Sequence, residues 1–356
     1  MYTYRFPVVR GLQANKEYYI AMVPIGMLER LFPSDDEIVS PEYRAQRRLN
    51  IARIPTIRDY VLENRNNYVF SALSASIDGK YSFIPSPEND AVGTLEVSLD
   101  AVFLINDGQH RKAALLEAIK EDRSLRDETI SVVFFEDQGL ARSQQMFTDL
   151  NKHAVKTSNS ISELYDLRDP LAVRTKSILA KVPFFEKYVD KEKDNLGKFA
   201  SKLFTLNAFY SANRRSLKGF SFNDQNEQFL VDYWSTVVRN ITEWQLLEKH
   251  EIPKKDLREN YIITQSVVLQ AFGRLGNYYL KSGDDLSGLD GLRNINWQRD
   301  NPLWVLRAIA KNGRIVMNES SVILTCNIIK KQLGIKLDEK ELLAERQLEA
   351  GVTQNE

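Results

Sequence analysis

Apolar and polar positions divide the chain into two regimes. Up to about residue 160, short stretches alternate with period two or run unbroken for a few residues, the habit of strands. Tyr2, Tyr4 and Phe6 alternate, Tyr18 to Val23 is β-rich, and Val69 to Ile77 is apolar and small. Leu95-Glu96-Val97, Ala101 to Ile105 and Thr129 to Phe135 read as further strands. Asp78-Gly79 predicts a β-hairpin joining 69–77 to Lys80–Ile84, with 85–93 as a polar loop. Helical spacing shows at 26–32, 40–65, 109–120 and 140–150, with Ser40-Pro41 as a start signal and Pro55 as a break. From Ile161 onward the period is helical, over 161–167, 171–179, 198–212, 223–245, 261–281, 302–309 and 320–333. The expected class is therefore α+β: a mixed α/β domain over 1–160 and a mostly helical domain over 161–340. A charged tail, 341–356, is expected to be disordered.

Composition narrows the function classes. With 43% hydrophobic residues, 17 Phe and 15 Tyr, the chain has enough apolar mass for a real core. The single cysteine, Cys326, excludes internal disulfides and cysteine-rich zinc sites, fits a reducing cytoplasmic compartment, and reads as a buried small hydrophobe. No stretch reaches the roughly 20 apolar residues of a membrane span, and Met1 to Arg5 carries no secretion signal. A formal net charge of zero argues against a protein that coats nucleic acid by bulk charge. The charge is unevenly spread, however. Residues 166–220 hold 12 Lys+Arg against 6 Asp+Glu, an excess of 12 − 6 = +6. Lys198, Lys202, Arg214, Arg215 and Lys218 in that segment are candidate DNA contacts, weighed against an ordinary solvated helical surface. Arg47, Arg48 and Arg53 are further candidates, because a guanidinium grips phosphate bidentately. Arg58 and Arg65 read better as partners of neighbouring acids.

Candidate chemistry concentrates at Asp107-Gly108-Gln109-His110-Arg111, where an apolar strand turns into a helix. Gly108 permits a sharp turn, Asp107 is placed to cap the helix, and the helix start offers N–H groups to an anion. Gly108, Gln109 and Arg111 are candidate phosphate or nucleotide contacts. Asp107 and His110 are the candidate catalytic pair, orienting water or Mg2+. The plainer alternative is a capping Asp107 with the remaining side chains in solvent. No Gly-x4-Gly-Lys-Ser/Thr loop or Gly-x-Gly-x-x-Gly occurs, and no local spacing of ligands suggests a metal site.

The pentapeptide matches the signature of DGQHR-domain proteins, and its surroundings resemble the DndB family associated with DNA phosphorothioate modification. The matching stretches are Gln46-Arg47-Arg48-Leu49-Asn50 with Arg53 and Ile57, then Asp107 to Arg111, then Phe147 to Lys152 and the polar residues through Ser158. That domain is distantly similar to the ParB/sulfiredoxin superfamily. The superfamily likeness implies a second set of phosphate contacts at Asn151, Lys152 and His153. Sulfiredoxin-type chemistry is disfavoured because Cys326 lies far along the chain from the turn. The resemblance implies a cytoplasmic DNA-binding regulator, a repressor of its own modification gene cluster. Its partners would be double-stranded promoter DNA, other phosphorothioation proteins and a second copy of itself, with no membrane. ATP or another nucleoside triphosphate with Mg2+ is the cofactor the turn would take. The alternative from another class is an enzyme, a nucleotide hydrolase or metal-dependent DNA nickase using the same turn.

Overall fold

The computed structural model describes residues 2–33, 50–136, 145–146, 157–197 and 200–353. The chain forms two compact units, Met1–Val155 and Lys156–Glu356, against an expected boundary at 160. Both halves of the α+β expectation are present, a sheet in the first unit and helices in the second.

The first unit is built on a seven-stranded sheet of β1 (Thr3–Gln13), β2 (Lys16–Pro24), β3 (Leu73–Asp78), β4 (Tyr81–Ser86), β5 (Asn89–Ser98), β6 (Val102–Asp107) and β7 (Thr129–Glu136). Their spatial order is β4-β5-β1-β2-β7-β3-β6. All neighbours are antiparallel except β3 and β7. Ala14 and Asn15, with φ of 52° and 61°, make the tight turn between β1 and β2, where positive φ matches the strand twist. Period two sets the buried face: Phe6 and Val8, Tyr19, Ala21 and Val23, Leu95 and Val97, Phe103 and Ile105, and Ile130, Val132 and Phe134 all point inward. The sheet curls strongly. Phe6 on β1 and Phe103 on β6 meet edge-on at 6.3 Å although β2, β7 and β3 lie between them in the order. Helices α1 (Leu28–Leu31), α2 (Ile54–Glu63) and α3 (Gln109–Glu121) accompany the sheet, with α2 packed on α3.

The second unit is helical: α4 (Asn159–Tyr165), α5 (Pro170–Lys181), α6 (Pro183–Tyr188), α7 (Leu206–Ser216), α8 (Asp224–Asn240), α9 (Thr242–Glu248), α10 (Lys254–Asn260), α11 (Ser266–Ser282), α12 (Glu319–Gln332) and α13 (Glu339–Thr353). Two-residue strands β8 (Val189–Asp190) and β9 (Phe204–Thr205) pair in parallel. Trp234, Trp244, Phe185, Phe209 and Phe272 fill its core. Helix α11 crosses α7 closely at Gly273, where a Cβ would meet the Ala212 carbonyl oxygen at 2.3 Å. Cys326 is fully buried in this core, and burial pushes its thiol up to about 11, as a small hydrophobe requires.

Several elements differ from their sequence expectation. Asp78-Gly79 is no hairpin turn: β3 pairs with β6 and β7, whereas β4 pairs with β5. Gly79 is needed instead because φ is 139° and Ala101 lies against it. The expected loop 85–93 is mostly strand, since β4 and β5 form the true hairpin. Pro55 lies in the first turn of α2, where its missing N–H costs nothing, and the 40–49 part of the expected helical segment lies outside the described residues. In the described part of the segment expected to be helical over 198–212, the helix begins at Leu206, after β9. The 223–245 and 261–281 segments are interrupted at Ile241 and before Ser266. Only Pro302–Trp304 of 302–309 coils, as a 3-10 turn. Nor is the tail disordered as far as it is described, because Glu339–Thr353 is α13. An Asp338–Glu341 capping box starts it, with Glu341 N–H donating to Asp338 Oδ1 at 2.9 Å and Asp338 N–H to Glu341 Oε2 at 3.1 Å.

Candidate functional site

Residues 107–111 join β6 to α3. The strand ends in a β-bulge: Ser74 faces Asp107 and Ala75 faces Ile105, so Asn106 is the extra residue. Its side chain is buried, donating from Nδ2 to Ser76 Oγ at 2.7 Å, while Oδ1 has no hydrogen-bond partner among the described residues. Gly108 then turns the chain with φ of 104°, and a Cβ there would meet Leu73 Cδ2 at 2.4 Å. Conformation and space both demand glycine. The first ladder bond of α3 runs from Lys112 N–H to the Gly108 carbonyl at 2.9 Å. The N–H groups of Gln109, His110 and Arg111 therefore stand ahead of the ladder, where the helix dipole favours negative charge.

The charged side chains at the turn hold the fold together. Arg111 Nη2 donates to Asp107 Oδ2 at 2.5 Å, and Nη1 donates to the Ser71 and Ala72 carbonyls at 2.6 and 2.8 Å. Asp107 is therefore not the helix cap the sequence suggested; Gly108 occupies that position and no side chain caps the helix. His110 Nε2 accepts a hydrogen bond from Asn50 N–H at 2.9 Å. Asn50 in turn caps a 3-10 turn, Ile51–Arg53, by accepting from Ala52 N–H at 3.2 Å. Asn50 and the pentapeptide, far apart in sequence, are thus joined through His110. Gln109 opens α3 half-buried. Arg53 is exposed and forms no ion pair among the described residues. Arg47, Arg48, Asn151, Lys152 and His153 lie outside the described residues.

Arg58 and Arg65 are structural. Arg58 pairs with Asp59 and Glu121, at 2.7 and 3.3 Å, while Arg65 pairs with Asp122 and Glu128, at 2.6 and 2.8 Å. The partners of Arg65 come from beyond α3 rather than from its own helix, which local spacing could not reveal. Asn106, Ser71 and Ala72 were missed from sequence. A buried amide directly after an apolar strand was the available signal for Asn106; the two carbonyls leave no signal in side-chain chemistry.

In the helical unit the basic excess is largely neutralised. Arg174 and Lys181 pair with Glu227, Lys187 with Glu248, and Lys191 with Glu186. Arg215 donates to Gln270 at 2.8 Å and forms a double contact with Glu319, at 3.0 and 2.8 Å. Lys202 donates to the Lys187 carbonyl at 2.6 Å. Arg214 and Lys218, at the C-terminal end of α7 and just beyond it, are exposed and form no ion pair among the described residues. Lys198 lies outside the described residues. Among the described residues, no group of three or more His, Cys, Asp or Glu side chains is placed to hold a metal ion. No helix among them is long and apolar enough to cross a membrane.

A curved mixed sheet with a glycine turn into a helix, followed by a helical unit, defines a two-unit α+β protein with a candidate anion-binding turn. The family model for DndB, described as DNA-sulfur modification-associated, matches residues 6–336, nearly the whole chain. The chain belongs to the DndB family. No curated protein and no solved structure matches it.

Proposed function

We propose that this protein is a DNA-binding regulator of a DNA phosphorothioate modification system, repressing its own modification gene cluster. Family membership across residues 6–336 is the observation that carries this reading. The pairing at the turn favours regulation over catalysis. Asp107 is engaged by Arg111 and His110 Nε2 by Asn50, so neither presents a ready acid or base. Promoter DNA, other phosphorothioation proteins and a second copy of the chain are the partners this reading requires. Of the candidate cations that are described, Arg53, Arg214 and Lys218 are exposed and are the ones offered here to a phosphate backbone. The turn serves as a phosphate or nucleotide site, with Mg2+ carried on the nucleotide, through the start of α3 and the polar groups beside Asn106.

The test is binding to a promoter fragment of its own cluster, at several salt concentrations, with and without ATP. Replacing Arg214 and Lys218 by Ala should weaken binding and lower the slope of log affinity against log salt by roughly 2. Unchanged binding removes that patch from the interface. ATP turnover or strand nicking that vanishes in Asp107→Ala would put the enzyme reading first.

A further inference from the structure

The helical unit holds a cleft of about 290 Å³, assembled from the 194–196 segment, β9 with the start of α7, and the start of α11. Its lining is polar: Asp194, Asn207, Ser211, Arg258, Thr264 and Gln270 face it. Three observations define its chemistry. First, α11 is 17 residues long and no side chain caps it. Its first backbone bonds run from Val268 and Leu269 N–H to the Gln265 carbonyl, leaving the N–H groups of Ser266 and Val267 ahead of the ladder. Second, Thr264 is 7% exposed, lines the cleft, and its Oγ1 has no hydrogen-bond partner among the described residues. A buried hydroxyl without a partner is costly to keep unless something completes it. Third, Arg258 brings a positive charge to the wall, held in place by the Ala200, Leu196 and Gly197 carbonyls. The one carboxylate, Asp194, accepts from the Asn159 and Ser160 N–H groups, at 2.8 and 2.9 Å, and from Ser160 Oγ at 3.0 Å. Its charge is met by protein donors.

We propose that this cleft binds a small phosphorylated metabolite of mononucleotide size. The phosphate sits at the start of α11 with Thr264 and Arg258, and the amides and hydroxyls of Asn207, Ser211 and Gln270 receive its polar body. The site lies wholly within the helical unit and does not depend on the function proposed for residues 107–111.

Calorimetric titration of the full chain with 5′-AMP, inorganic phosphate and adenosine tests this. AMP should bind, phosphate more weakly, and adenosine not at all. Thr264→Val should lower AMP affinity roughly tenfold or more while leaving the melting temperature unchanged or higher, since the hydroxyl has no partner to lose among the described residues. Ser211→Leu, which fills the cleft from α7, should abolish binding. The proposal fails if the wild type binds neither AMP nor phosphate at millimolar concentration, or if both cleft variants leave the affinity and stoichiometry of AMP binding unchanged. Loss in Asp107→Ala alone would place the AMP site at the 107–111 turn instead.

Discussion

Gly108 and Arg111 do more for the architecture of the turn than any other side chains in it. Arg111 gathers the Ser71 and Ala72 carbonyls and the Asp107 carboxylate around one guanidinium, a geometry that the point charge of lysine does not reproduce. Gly108→Ala would combine left-handed strain with a clash against Leu73. It should destabilise the protein by about 2 kcal/mol or more, read as a lowered melting temperature. In the helical unit, Glu163 has a buried Oε2 with no hydrogen-bond partner among the described residues. Burial, with the Asp194 charge second and Arg214 opposing, pushes its carboxyl up to about 7. The folded state thus holds this proton more tightly than the unfolded chain does. Stability should fall as pH rises from about 4.5 through 7, by roughly 1–2 kcal/mol after solvent screening. Glu163→Gln should flatten that part of a denaturation-versus-pH curve; an unchanged slope would assign it to other groups.

At the scale of elements, the most informative piece is α13. Its Glu341 is buried and accepts from Lys330 Nζ at 2.8 and 2.9 Å, with Arg274 at 3.1 Å. Glu345, one turn on, meets Lys331 and Arg307, at 2.7 and 3.1 Å. Two acids at i,i+4 thereby tie the last helix to α11, α12 and the 302–309 segment. Because the Lys330 side chain is itself only 6% exposed, Glu341→Ala leaves an unpaired buried ammonium. A loss of about 3–5 kcal/mol in chemical denaturation is expected, larger than for any exposed pair. In α8, burial alone would raise Glu227, but hydrogen bonds from Lys181, Ser177 and Arg174 outweigh it and hold the carboxyl down to about 2. Its stabilising contribution is complete above pH 4.5 and is lost as pH falls through 2. Glu227→Gln should therefore reduce the acid-side loss of stability.

For the whole molecule, the distribution of charge decides which of the proposed DNA contacts are left open. The +6 excess of residues 166–220 looks in sequence like one basic face, yet acids from later in the chain, Glu227, Glu248 and Glu319, take up much of it. What remains exposed at α7 is Arg214 and Lys218. Arg215 is spoken for. Arg215→Ala should therefore lower thermal stability more than DNA affinity, with Arg214→Ala showing the reverse, a contrast that paired melting and filter-binding measurements resolve.

The sequence by itself determined the α+β class, the strand-to-helix junction at 107–111 and the buried fate of Cys326. Each of these rests on local spacing and on the apolar or polar nature of neighbouring residues. The DndB resemblance was likewise carried by short stretches of sequence. Tertiary structure alone decided which strands pair, so that 69–77 finds β6 and β7 rather than its neighbour across Asp78-Gly79. It also decided that Asp107 answers Arg111 instead of capping α3, that His110 reaches Asn50, and that Arg215 belongs to Glu319. Side-chain type and period specify what a residue prefers to touch. Which partner lies within about 3 Å depends on how distant segments are brought together by burial of the core, and no local pattern encodes that distance.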